Sequence, residues 1–247
     1  MGSKKEFFKI RYLNFVIIIS LFLVFPQVSS ALDAEEAISL LRDAKVRADS
    51  LEDYTLILIK QERMDGVLLP VSVAFVKWKG PFSIYLKFLE GKDRGREIIY
   101  IEGKYRDKMI VSPGGILGAL TIKVSPDSLI AKRNNRHTIT EAGMSNTIKR
   151  ILSIIENEYR KPSSNISVVF FGEEVFENDK CIHIRIDKSS YAERTEVYLY
   201  SDTLFPHTII SYEKGGELLE SYRYSDIRTN VGLDDSDFDP LNEEYDF

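Results

Sequence analysis

The sequence predicts an α+β domain: one curved antiparallel sheet of about ten or eleven strands with helices covering it. Three observations carry this. From Tyr54 onward, and again from about residue 166, apolar and polar residues alternate with a period of two in short runs broken by Gly, Pro, Asn and Asp. Only two segments, one ahead of the strands and one between the two runs, carry apolar residues at helical spacing. Cys181 is the only cysteine, so no internal disulfide can form and packing must hold the domain together. A sheet this long twists and curls, and its concave face needs cover that amphipathic helices can supply.

Taken in order, the chain opens with Lys4, Lys5, Lys9 and Arg11, then an apolar run from Leu13 to Phe25, Pro26, and the small residues Ser29, Ser30 and Ala31. These are the three parts of a secretory signal peptide, and the run falls short of the ~20 apolar residues a bilayer span needs. Cleavage is expected after Ala31, leaving one domain over residues 32–247 in the periplasm; an uncleaved anchor is the alternative. Removing residues 1–31 takes away four bases and one acid, which moves the net charge from −5 to −8. An acidic exported domain is a poor partner for nucleic acid or anionic lipid surfaces, which both need a basic face.

The domain begins with a helix that Asp33 can cap, with Glu36 three residues on. Ala34, Ala37, Ile38, Leu41, Ala44 and Ala48 form its apolar stripe. A strand follows from Tyr54, Asp65-Gly66 turns the chain, and a second strand is expected from Val67 to Trp78. Gly80-Pro81 breaks the chain before a third strand whose one face carries Phe82, Ile84, Leu86 and Phe88. Glycine-bracketed turns then separate strands at 96–102 and 105–111. An insertion over residues 113–162 mixes loop with a strong helix from Gly143 to Lys161, capped by Ser145, with Ile148, Ile151, Leu152, Ile155 and Tyr159 along one side. Five further strands are expected near 166–171, 181–187, 194–200, 206–213 and 217–227. In the acidic tail, Phe238, Tyr245 and Phe247 alternate with acids, which reads as a tail pinned by aromatics rather than a calcium loop.

No catalytic or metal motif emerges. His137, His183 and His207 are the only histidines, and none sits in an HExxH arrangement. There is no GxSxG elbow, dinucleotide fingerprint or phosphate loop. His137 lies in the basic stretch "KRNNRHTIT" and reads as solvated surface; Cys181 reads as a small strand side chain. Catalytic residues, metal and cofactor are therefore expected to be none.

The stretches "FVKWKGPFSIYLKFLEGKDRGREIIYIEGKY", "RHTITEAGMSNTIKRIL" and "YSDTLFPHTIISYEKGGELLESYRYSDIRTNVGLDDSDFDPLNEEYDF" resemble a bacterial exported family of unknown function. That family is similar to the LolA/LolB outer-membrane lipoprotein carrier superfamily. The resemblance implies an unclosed half-barrel of about eleven antiparallel strands with a helical lid over an apolar cavity that takes acyl chains. No residue here maps onto the carriers' lid-locking basic residue. The expected function is a monomeric, non-enzymatic periplasmic binder or carrier of a lipid or acyl chain, in lipid or lipoprotein trafficking. The expected cavity lining is Phe82, Ile84, Leu86 and Phe88 with Ile148, Ile151 and Ile155. The alternative is an envelope protein-interaction or stress-sensing module whose core is filled by its own side chains.

Overall fold

The computed structural model describes residues 30–114 and 121–247, with side chains from Ala34 onward. Apart from Ser30 and Ala31, the expected signal peptide lies outside the described residues. Helix α1 (Ser30–Asp49) is followed by strands β1 (Asp53–Met64), β2 (Val67–Leu68), β3 (Ser72–Lys79), β4 (Ser83–Glu90), β5 (Glu97–Ile101), β6 (Met109–Ser112) and β7 (Ile122–Val124). Helices α2 (Leu129–Lys132) and α3 (Met144–Glu158) come next. The chain then continues through β8 (Ser167–Phe176), β9 (Asp179–Asp187), β10 (Arg194–Tyr200), β11 (Pro206–Tyr212) and β12 (Leu218–Thr229).

Eleven of these strands form one antiparallel sheet in the order β7-β6-β5-β4-β3-β1-β12-β11-β10-β9-β8, and β2 pairs with the end of β1. This is the α+β half-barrel expected from the sequence. Its first and last strands meet at the centre, Leu58 facing Tyr224 and Glu62 facing Glu220. Its edges come from the middle of the chain. The insertion between the two strand runs therefore joins one edge of the sheet to the other, and lies across its inner face.

Local chemistry sets the boundaries. The stretch expected as one strand from Val67 to Trp78 is divided by Pro70, which has no N–H to donate to a ladder. Asp33 lies within α1 rather than ahead of it, and Tyr105, Arg106 and Asp107 form a left-handed turn, so β6 starts only at Met109. Gly143, not Ser145, precedes α3. Its φ of 100° suits glycine, and a Cβ there would stand 3.0 Å from the Tyr54 hydroxyl. That close approach lets Met144 N donate to Tyr54 Oη at 3.0 Å, while Tyr54 stacks on Trp78 at 5.0 Å. The Ser145 hydroxyl instead donates to Asp49, tying α3 to α1.

The core lies between the sheet and the two long helices. The α1 stripe predicted from the sequence is buried along its whole length, as are Ile148, Ile151, Leu152 and Ile155 of α3. On the outer face a smaller cluster gathers Tyr85, Ile99, Ile101 and Ile110 beneath Phe238 of the tail, and Tyr245 stacks on Tyr85 at 4.2 Å. Asp53 anchors the start of that tail by accepting the amides of Val231, Gly232 and Leu233 at 2.7–3.1 Å. Lys77 holds Asp237 at 2.6 Å. The aromatic pinning of the tail is as expected.

Candidate functional site: a cavity with one polar end

The helices do not fill the whole inner face. Between β1, β3–β7, β12 and the segment 124–143 lies a cavity of about 320 Å³, within the ~300–1,000 Å³ typical of small-molecule sites. Its floor is the apolar alternation of the strands: Leu56 and Leu58, Ala74 and Val76, Ile84, Leu86 and Phe88, Ile98, Met109 and Val111. Its roof is Pro126, Ile130, Ala131, Ile139 and Ala142. Three of the residues expected to line a cavity, Ile84, Leu86 and Phe88, stand in this floor.

The others do not. Phe82 precedes β4, packs edge-on to Tyr100 at 5.8 Å, and borders a separate shallow recess with Trp78 and Asn146. Phe82 stays on the inner face, its carbonyl accepting from Glu102 N at 3.0 Å, but it stands at the end of the row beside Trp78 and away from the cavity. Ile148, Ile151 and Ile155 are at most 3% exposed and belong to the dry core, where α3 packs on α1. The helix presents a neighbouring face, Gly143, Thr147 and Arg150, to the cavity. Thr147 is fixed there by a 2.8 Å hydrogen bond with Tyr224.

One end of the cavity is polar. Glu62 and Glu220 face each other across β1 and β12 and are 3% and 1% exposed. Isolated buried carboxylates would be costly, and here each is surrounded by donors. Tyr222 Oη donates to Glu62, and Lys60 Nζ lies 2.9 Å from Glu62 and 2.6 Å from Asn135 Oδ1. Tyr191 Oη donates to Glu220 at 2.6 Å, His137 Nε2 lies 3.0 Å from the same oxygen, and Arg136 Nε is 3.3 Å away. Burial alone would raise the Glu220 pKa, but the bonds from His137 and Tyr191 hold it below the ordinary carboxylate value. Burial and the two carboxylates push the Tyr222 hydroxyl far upward, so it stays a donor.

Residues 51–247 match the family model described as "Protein of unknown function (DUF1571)". The chain belongs to this family. Solved structures similar to this DUF1571 domain include the MucA/MucB complex of Pseudomonas aeruginosa, with 13% identity and a TM-score of 0.49 over 83% of this chain and 60% of that one. The Mycobacterium tuberculosis lipoprotein LppX is 11% identical, with a TM-score of 0.48 over 81% and 98% of the two chains. A LolA superfamily protein from Nitrosomonas europaea is 12% identical, with a TM-score of 0.39 over 81% and 96%. No curated protein matches the chain.

Within the DUF1571 domain the histidines take unequal places. The expectation that His137 is solvated surface is wrong: its side chain is 15% exposed and bonded to Glu220 and Tyr191. Lys132 and Arg133 of this stretch do face water, whereas Asn135, Arg136 and His137 meet a buried polar patch. The strand alternation contained the missing signal. Leu56, Leu58, Lys60, Glu62 on β1 and Tyr224, Tyr222, Glu220 on β12 continue the inward-facing positions into charged residues. His183 lies on the outer face between the rings of Phe171 and Tyr198, bonded to Glu196 at 2.8 Å. Cys181 is fully buried, and burial, helped by nearby acids, pushes its thiol up to about 11, so it stays protonated. Among the described residues no group of three His, Cys, Asp or Glu side chains is placed to hold a metal.

Proposed function

We propose that this DUF1571 domain is a non-enzymatic periplasmic binder or carrier of a lipid or acyl chain. The observation that carries the reading is the apolar cavity, floored by seven strands and roofed by a segment of short elements. Each methylene moved from water into such a space contributes ~0.8 kcal/mol, so a single chain gains useful affinity without polar machinery. The absence of catalytic motifs in the sequence agrees with binding rather than turnover. The periplasmic location rests on the basic-apolar-small pattern of residues 1–31. A role in lipid or lipoprotein trafficking rests on the sequence resemblance to the carrier superfamily.

The test is native mass spectrometry of protein purified without detergent, followed by titration with a neutral naphthylamine fluorophore. The reading predicts co-purified lipid-sized mass, or fluorescence enhancement reversed by single-chain lipids. A protein that carries no ligand and gives no enhancement would overturn it. The cavity also weighs against the alternative of an interaction module with a wholly filled core.

A further inference from the structure

Arg150 is the cation of this cavity that no other described residue holds by a hydrogen bond or ion pair. It projects from the α3 face that also carries Gly143 and Thr147, and it is half-buried among the lining residues. Every other basic residue of the lining has a partner. Lys60 is shared by Glu62 and Asn135, and Arg96 pairs with Asp93 at 2.9 Å and lies over the Phe88 ring. His137 is bonded to Glu220 and Tyr191. Just behind the lining, Arg136 is divided among Glu220, Tyr191 and the Arg63 carbonyl. Arg150 makes no hydrogen bond or ion pair with any other described residue, although its charge is felt by Glu220, Tyr222 and Tyr224.

Lys60, Arg136 and Arg150 stand at the polar end with the buried Glu62 and Glu220 and, at the rim, Glu141, so the fixed charges balance in number. Their pairing is uneven: Lys60 and Arg136 each meet a carboxylate, and Glu141 accepts from the amide of Thr138 at 2.9 Å, which leaves Arg150 without a direct partner among the described residues. A guanidinium at the edge of an apolar, poorly hydrated space is a fork of donors matched to a carboxylate or phosphate. The two buried carboxylates would repel an incoming anion, but each already accepts from several donors.

We propose, resting on the lipid-binding reading above, that the ligand is an anionic single-chain amphiphile. Its acid head, carboxylate or phosphate, is taken by Arg150, and its chain lies along Leu58, Ala74, Leu86 and Phe88. A neutral head of the same chain length leaves the guanidinium unpaired and binds more weakly.

The experiment displaces the neutral naphthylamine fluorophore with dodecanoate, dodecyl phosphate and dodecanol, using the wild-type chain, Arg150→Gln and Arg150→Lys. At low salt the wild type should prefer at least one acid over the alcohol by roughly ten-fold or more, the scale of a hydrogen bond to a charged group. Which acid wins separates a fatty-acid from a phosphate-headed ligand. In Arg150→Gln the acid-to-alcohol ratio should fall close to one, and in Arg150→Lys part of it should return. Equal binding of acid and alcohol by the wild type, or a preference that survives Arg150→Gln, overturns the inference while leaving the lipid reading standing. If none of the three compounds displaces the fluorophore, the inference falls, and the lipid reading falls with it when no lipid-sized mass co-purifies. Should Arg150→Gln fail to fold, the wild-type ratio and its reduction in Arg150→Lys decide the matter.

Discussion

The two halves of the inner face are made of the same kind of strand and end up differently. Under α1 and α3, the inward residues of β8–β11, among them Val168, Ile184, Ile186, Val197, Leu199 and Ile209, meet helical side chains and form a dry core. Under the segment 125–143, the inward residues of β1 and β3–β6 meet a four-residue helix and a single 3-10 turn, with Thr147 and Arg150 reaching in from α3. Long helices present a continuous stripe that interdigitates with a sheet to interior density. Short elements joined by loop cannot, and the space beneath them stays open. The nature of the cover, not of the sheet, decides which half is core and which is container.

That comparison can be broken by mutation. The largest effect is expected from truncation in the filled half: Ile155→Ala or Leu41→Ala should cost ~2–5 kcal/mol in urea unfolding, as buried large-to-small changes do. Leu86→Ala, whose side chain already borders free volume, should cost less than half as much. Equal losses would mean the two halves pack alike. Enlargement should act in reverse. Ala37→Leu on α1 should cost ~1–3 kcal/mol by overpacking, whereas Ala74→Leu in the cavity floor should cost little stability and reduce fluorophore binding.

Smaller effects should arise at the polar end, which fastens the roof to the sheet. Tyr222→Phe removes the hydroxyl that donates to the buried Glu62 and should cost ~1–3 kcal/mol. Acid should loosen the same place. Because the folded Glu220 carboxyl titrates below its ordinary value of 4.5, its contribution is fully present above that pH and is lost as pH falls through the lower folded value. The groups facing it are Glu62, His137, Tyr191, Arg136, Arg150 and Tyr222. Hydrogen exchange should therefore rise in residues 131–138 below pH 4.5, while α1 and α3 stay protected. Uniform loss of protection across both halves would contradict the separate fastening.

Much of this fold was legible because alternation is a direct record of which strand face is buried. It placed ten of the eleven sheet strands, the α1 stripe and the aromatic residues of the tail. What it could not show is which covering element lies over which strand. Ile148, Ile151 and Ile155 are apolar whether they face a ligand or α1, so periodicity could not assign them to core or cavity. Phe82 continues the pattern of Ile84, Leu86 and Phe88 in sequence and in space, yet the cavity ends before the end of their row, a limit that the cover sets and the alternation does not record. His137 looked solvated because its partners, Tyr191 and Glu220, lie far away in the chain. Pro70 was visible all along, and its missing N–H was enough to end the second strand.

The claim that matters most is that the hollow half holds an apolar ligand. The most direct test compares fluorophore binding by the wild type, by Ala74→Phe in the cavity floor, and by Phe238→Ala on the outer face, each checked for folding by circular dichroism. The account predicts binding by the wild type and by Phe238→Ala, and its loss in Ala74→Phe with the fold intact. Undiminished binding by a folded Ala74→Phe would place any ligand elsewhere and contradict the account.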